Sequence, residues 1–309
     1  EQAGLVQRSG SSAPCQPGDD IMLWILLSLG TALFSATEAA LTRHGFEHAS
    51  PSSAVAAPLM TSLPLFALTL PFLDAPRLEP GFWTVLAALV PINALGFYLQ
   101  SWSFKSSPLS LTVPFMAFTP AFVLATGFVA LGETPSMLGC LGVLVTVAGG
   151  YLLYAEKDAG IWAPFKAVLQ ERGSMLMLAA ALVWSVASVM GKKLILLSSP
   201  LYAGCIFSLA HNLALLVFLA IIGQVRLREL RPRAGHALSL GLCLYLHIIC
   251  HFAAVSMTTV AYMLSIKRLN GLFALGFERF VFHQPLLRHR LHGTAWMTAG
   301  AVIIALAGS

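Results

Sequence analysis

Ten apolar runs, each long or nearly long enough to cross a bilayer, follow one another with short connections. No other feature of the chain restricts its fold as strongly. A bilayer core about 30 Å thick is spanned by roughly 20 apolar residues in a helix. In hydrocarbon every backbone N–H and C=O must be satisfied within the segment, so spans of this length fold as helices. The runs are Ile21–Thr42, Ala54–Leu73, Phe82–Phe104, Leu109–Leu131, Met137–Ala155, Met175–Leu197, Leu201–Gly223, Leu238–Met257, Val260–Phe282 and Leu291–Ala307. Of 309 residues, 57% are hydrophobic and 10% charged, against about 25% charged in soluble domains. The expected fold is an all-α polytopic membrane protein with ten transmembrane helices.

The expected organisation is a disordered N-terminal tail over 1–20, a five-helix repeat over 21–155, a polar inter-repeat loop over 156–172 and a second five-helix repeat over 173–309. The tail is rich in Ser, Gly, Pro and Gln, a composition that cannot bury a core. It has no apolar stretch ahead of a cleavage site, so it does not read as a signal peptide. An offset of 150 residues brings Phe34-Ser35 onto Trp184-Ser185, Ser106 onto Ser256, Pro120 onto Asn270 and Gly150 onto Gly300. Five spans per repeat is an odd number, so the second repeat enters the membrane inverted. Inverted repeats around a central site are a secondary-transporter architecture. Pro114 and Pro120 fall inside the fourth run and are expected to kink it.

Loop charge gives an expected orientation. One set of alternate connections holds Arg43, Lys105, Lys157, Lys166, Arg172, Arg226, Arg228, Arg231, Arg233, Arg288 and Arg290; the other holds Arg8, Arg77, Lys192 and Lys193. This favours both termini facing away from the cytoplasm. The five cysteines form no CxxC pair and suggest no disulfide framework. No basic patch with interleaved aromatics points to nucleic acid.

The ninth run carries Lys267 and Arg268 near its middle and Glu278 and Arg279 farther on. One such charge at a helix centre costs roughly 2.5–3.5 kcal/mol in lipid. These groups are therefore expected to face a water-filled cavity, a counter-charge or an anionic ligand. Adjacent residues point about 100° apart, so the basic pair could share only a wide cavity.

In the eighth run Cys243, His247, Cys250 and His251 recur on one face. Their equivalents in the third run are Asn93, Phe97, Gln100 and Ser101, and the shared polar stripe reads as the wall of a central cavity. A metal site is the sharper alternative. Four ligands along eight residues of one helix span about 12 Å, too far to close on one ion, and no acid lies nearby in sequence to orient the imidazoles. Tyr262 and its equivalent Thr112 could donate hydrogen bonds into the cavity. Glu38, late in the first run, is either a proton-coupling carboxylate or an interfacial acid paired with Arg43; the second reading is favoured. Glu133 reads as a helix-end group. His211-Asn212, Trp184 and Ser188 are further candidates. Nothing suggests catalysis or a cofactor, since GxSxG, HExxH and P-loop motifs are absent. Transport would then be facilitated or ion-coupled.

Taken together, SPLSLTVPFMAFTPAF, LGETPSMLGCLGVLVTVAGGYLL and VAYMLSIKRLNGLF resemble the drug/metabolite transporter superfamily, specifically its EamA-type ten-helix members. The likeness covers about residues 21–308, and Gly132-Glu133 and Ser265–Leu269 are its more specific parts. It implies a five-plus-five inverted-repeat bundle whose cavity is lined mainly by the first, third, fourth, sixth, eighth and ninth helices. It also implies transport of a small metabolite without ATP hydrolysis. In the related sugar-phosphate translocators a Lys-Arg pair in the ninth helix contacts substrate phosphate, and Lys267-Arg268 is similar in type and place. His283-Gln284 stands where a second Lys-Glu is usual, and Phe277–Phe280 puts charges where apolar residues are usual.

The expected function is secondary transport of a small anionic or zwitterionic organic metabolite by alternating access, in a bacterial inner membrane. Lys267 and Arg268 would hold the anion, with Tyr262, Gln100, Asn93, Thr112, His247 and His251 completing the site and Glu38 available for proton or ion coupling. The alternatives are export of amphipathic or amino-acid-like compounds and a non-transporting membrane protein.

Overall fold

The computed structural model describes residues 17–107, 112–154, 171–224, 227–283 and 288–307, and all regular structure among them is helical. The tail expected over 1–20 lies outside the described residues up to residue 16. The first helix already begins at Pro17. The expected inter-repeat loop is described only at Glu171 and Arg172.

The first half comprises α1 (Pro17–Phe46), α2 (Pro51–Thr69), α3 (Phe82–Ser106), α4 (Thr119–Leu131) and α5 (Met137–Tyr154). The second comprises α6 (Arg172–Leu196), α7 (Pro200–Ile221), α8 (Ala234–Met257), α9 (Val260–Lys267), α10 (Asn270–Phe280) and α11 (Arg288–Ala307). Among the described residues seven spans, from the first to the fourth and from the sixth to the eighth, are long and apolar enough by themselves to cross a membrane.

The fourth and ninth spans are each broken, and their breaks lie 150 residues apart. Pro114 and Pro120 do more than kink the fourth span: a 3-10 helix, Val113–Phe118, precedes α4, with Pro120 in the first turn of α4. That is the place where a missing N–H costs least. The ninth span was expected to be continuous over Val260–Phe282, and the structure corrects this. The Arg268 N–H reaches both Leu264 and Ser265 carbonyls, and the Leu269 and Gly271 N–H groups bond to Ile266 and Arg268 carbonyls. Such i→i+3 bonds tighten a helix end. Asn270 and Gly271 follow, both poor interior helix formers. Lys267 thus closes the last turn of a half-helix in mid-span.

The halves interlock by exchange. α1 packs along α8 of the other half, and α3 packs equivalently along α6. α5 and α11 form the most extensive contact of all, and it is made by glycine. A Cβ on Gly142 would lie 3.0 Å from the Gly300 carbonyl oxygen, and one on Gly300 2.7 Å from that of Gly142. Gly149 and Gly293 face each other likewise, at 2.8 and 2.9 Å. The two backbones therefore touch, with Thr146, Met297 and Ile304 packed beside the contact, the close approach small residues allow in membranes.

Polar clusters tie the ends of the bundle. Where α4 and α6 end, Lys192 Nζ donates to Glu133 Oε1 and to the Thr258 carbonyl, each at 2.6 Å. Glu133 in turn accepts the Val260 N–H at 3.1 Å, placing a carboxylate at the positive end of α9. Glu133 is thus a helix-end group, but the end it caps is that of α9. At the opposite end Glu229 accepts the Ser50 N–H at 3.0 Å, the Ser50 hydroxyl at 2.7 Å and the Ser53 hydroxyl at 2.8 Å, at the start of α2.

Candidate functional site

Mid-span residues of α1, α2, α3, α6, α7, α8 and α9 enclose a cavity of about 260 Å³. This is below the roughly 300–1,000 Å³ of sites for drug-sized ligands, so it suits a small molecule. Much of the wall is aromatic. Phe97 meets Trp184 edge-on at 4.9 Å between ring centroids, and Trp184 can reach inward because it lies against Gly96, where a Cβ would come within 3.1 Å of the ring. Phe207 and Phe252, 6.0 Å apart, form a second apolar panel.

Polar groups gather at two places. At the first, Glu38 of α1 and His247 of α8 meet at 3.0 Å, with 23% and 12% of their side chains exposed. His251 stands one turn along, its ring centroid 6.4 Å from that of His247. Lys267 completes this pole from the end of α9. The lysine makes neither a hydrogen bond nor an ion pair with any described residue. The favourable negative end of α9 and the carboxylate of Glu38 are the charges that offset it. At the second pole His211 Nε2 lies 3.1 Å from Asn93 Oδ1, and Asn212 donates to the Ser62 hydroxyl at 3.0 Å. Ser208 Oγ, His211 Nδ1, His247 Nε2 and His251 Nδ1 are buried without a hydrogen-bond partner among the described residues. Native proteins leave few such atoms, and all four belong to residues lining this one cavity.

Of the residues singled out in the sequence, Lys267, His247, His251, Asn93 and Glu38 line the cavity, as do His211, Asn212, Trp184 and Ser188. Arg268, Tyr262, Gln100 and Thr112 lie outside the lining. Arg268 sits about 100° around the helix from Lys267, so the break in the ninth span turns only one of the pair inward. The Tyr262 hydroxyl accepts the Ser136 N–H at 3.1 Å and lies 3.2 Å from the Ser136 hydroxyl, binding α9 to the start of α5. Gln100 donates to Met116 Sδ at 3.4 Å. Thr112 is buried at the start of the 3-10 helix. The stripe on α8 divides as well: its histidines face the cavity, whereas the Cys250 sulfur faces Gly30 of α1.

Two expectations are corrected. Glu38 does not pair with Arg43, whose guanidinium stacks 4.7 Å above the Phe282 ring. Five residues along a helix turn it by about 140°, so the two side chains leave α1 on different faces. The fourth span contributes nothing to the lining, while α2 and α7 do. The prolines fold the start of the fourth span into a 3-10 turn that packs on α5 and α6. Ser208 and Phe207 were missed in the sequence. The available signal was a polar face on α7, with Ser208 three residues before His211-Asn212 in an otherwise apolar run.

Comparison with known proteins agrees with this architecture. A solved structure described only as a crystal structure of a protein superposes with a TM-score of 0.70 over 92% of this chain and 96% of the other, at 15% identity. It shares the fold. No curated protein matches the sequence. The model of the EamA-like transporter family matches residues 22–155 and again 171–306, one match for each five-span half. The chain, an integral membrane protein, therefore belongs to the EamA-like transporter family, within the drug/metabolite transporter superfamily.

Proposed function

We propose that this membrane transporter moves a small organic anion, or a zwitterion bound through its anionic group, by alternating access from the central cavity. The observation that carries the reading is Lys267. It is a cation in mid-span, at the cavity wall, with no ion pair or hydrogen bond to a described residue. An unpaired charge in such a place is costly, and an anionic ligand would offset it. Glu38 is hydrogen-bonded to His247 and not to Lys267, so the ammonium has no direct contact with a carboxylate and an anion can approach it. His247 and His251 would complete the anion site, and Asn93 would hold the far side of the ligand through His211. The exchange packing of α1 on α8 and of α3 on α6 suits a site between two halves that rock about it. Glu38, hydrogen-bonded to His247 within reach of Lys267, is the group proposed to couple transport to protons. A bacterial inner membrane remains the proposed location.

Thermal stabilisation of the purified protein by a metabolite panel tests this, with wild type beside Lys267→Gln and Arg268→Gln. A ligand that binds only the folded state adds about 2.7 kcal/mol at 100 times its Kd. The expected result is that carboxylates or phosphates stabilise wild type and Arg268→Gln but not Lys267→Gln. Equal stabilisation of all three by neutral or cationic compounds would overturn the anion site.

A further inference from the structure

The second pole of the cavity points to a requirement on the ligand's far end. Ser208 and His211 lie three residues apart on α7 and so share one face; they are 3% and 5% exposed. Asn93 Oδ1 has only lone pairs to offer, so His211 Nε2 carries the hydrogen of their bond. In a neutral imidazole the other nitrogen then holds a lone pair. That nitrogen, His211 Nδ1, has no partner among the described residues, and neither has Ser208 Oγ. Burying such atoms unpaired is costly. Serine hydroxyls in these spans ordinarily return to a carbonyl of the preceding turn, as Ser28 and Ser188 do; Ser208 does not. The two poles are separated by apolar rings, because His211 packs on Phe207 at 5.4 Å, Phe207 on Phe252 at 6.0 Å, and Phe252 on His251 at 5.7 Å.

We propose that Ser208 and His211 form a subsite for an uncharged group that both donates and accepts a hydrogen bond, an alcohol or a primary amide, at the end of the ligand remote from its anion. The inference rests on the reading of Lys267 as the anion site and adds a class to it: the cargo is a small carboxylate or phosphate with an apolar middle and a distal hydroxyl or amide. His211 Nδ1 accepts the ligand's hydrogen, and the Ser208 hydroxyl donates to its oxygen. A site built to hydrogen-bond a hydroxyl discriminates against the analogue without it, because its own polar groups are then left unpaired.

The test is calorimetric titration of the full chain in lipid nanodiscs with straight-chain carboxylates from butyrate to octanoate and their ω-hydroxy counterparts. The matching alcohols and diols serve as uncharged probes. At the best chain length wild type should prefer the ω-hydroxy acid at least about tenfold, and Ser208→Ala should reduce the preference to about twofold or less. Unliganded Ser208→Ala should melt no lower than wild type, because the hydroxyl it removes has no partner; a structural role would lower the melting point. The inference is overturned by equal binding of both acids at every length, by a preference that survives Ser208→Ala, or by no saturable binding of any probe at millimolar concentration. The two readings separate. Diols discriminated from alcohols through Ser208, with Lys267→Gln without effect on carboxylates, would keep this subsite and remove the anion site. Loss of all carboxylate binding in Lys267→Gln with no hydroxyl preference would do the reverse.

Discussion

Glu38 Oε1 and His247 Nδ1 lie 3.0 Å apart across the seam between α1 and α8, joining residues 209 positions apart in the chain and from opposite halves of the bundle. The carboxylate accepts the Nδ1 hydrogen, which leaves Nε2 of the same ring turned to the cavity without a partner. A proton change on Glu38 would therefore be felt in the cavity through one imidazole.

Replacing Glu38 with Gln tests that link. The amide can still accept the Nδ1 hydrogen, so ligand affinity should change by less than about tenfold, within the 1.4 kcal/mol that a weakened charge-assisted bond represents. Uptake driven by a pH gradient in proteoliposomes should be lost, while exchange of ligand for ligand at uniform pH is kept. Unchanged gradient-driven uptake would remove Glu38 as the coupling group. Among the described residues, His247, Lys267 and Cys243 are titratable groups that feel its charge.

The pair formed by Lys192 and Glu133 is a second target. Their side chains are 14% and 10% exposed, so removing one partner strands a charge. Lys192→Met should destabilise the fold by about 3–5 kcal/mol. The combination Lys192→Met with Glu133→Leu should recover much of that loss, less the carboxylate cap on α9, worth about 1 kcal/mol. A thermal-stability double-mutant cycle measures both. A pair free of coupling would give additive losses.

How the sequence and the structure relate is clearest in the ninth span. Its charges were legible as misplaced in lipid, and the position of a central site followed. Which charge faces the site was not, because a single turn of i→i+3 bonds decides it, and Lys267 and Arg268 are equivalent by composition. The polar stripes of α3 and α8 were visible by periodicity, and their cavity-lining members include Asn93, His247 and His251. Glu38 could not be paired from the sequence, because its partner comes from α8, whose apposition to α1 follows from the exchange of the halves. Tyr262 had the chemistry of a ligand donor, yet the nearby N–H of Ser136 claims its hydroxyl.

Tyr262→Phe should accordingly act on stability alone. Loss of the hydroxyl removes its bond from the N–H of the exposed Ser136, a change of about 0.5–1.5 kcal/mol. Ligand affinity of the folded protein should match wild type. A selective loss of binding with unchanged melting would place Tyr262 back in the site.

Gly300→Ala should destabilise by about 1–3 kcal/mol through overpacking, since its Cβ would meet the Gly142 carbonyl oxygen at 2.7 Å. Gly235→Ala in α8, where nothing lies within 4 Å of an added Cβ, should be neutral or stabilise by up to about 1 kcal/mol. Equal melting points for both variants would contradict the close approach of α5 and α11.

That approach also limits how the molecule can deform. One helix of the glycine seam belongs to each half, and the backbones touch at Gly142–Gly300 and Gly149–Gly293. Backbone lies against backbone there, flanked by the Thr146, Met297 and Ile304 side chains, and the close approach leaves little room for sliding. In the alternating-access reading proposed above it would serve as a fulcrum. A swing of one half against the other about this line would be amplified at α3, α6, α7 and α8, which carry the Phe97, Trp184, Phe207 and Phe252 rings of the cavity.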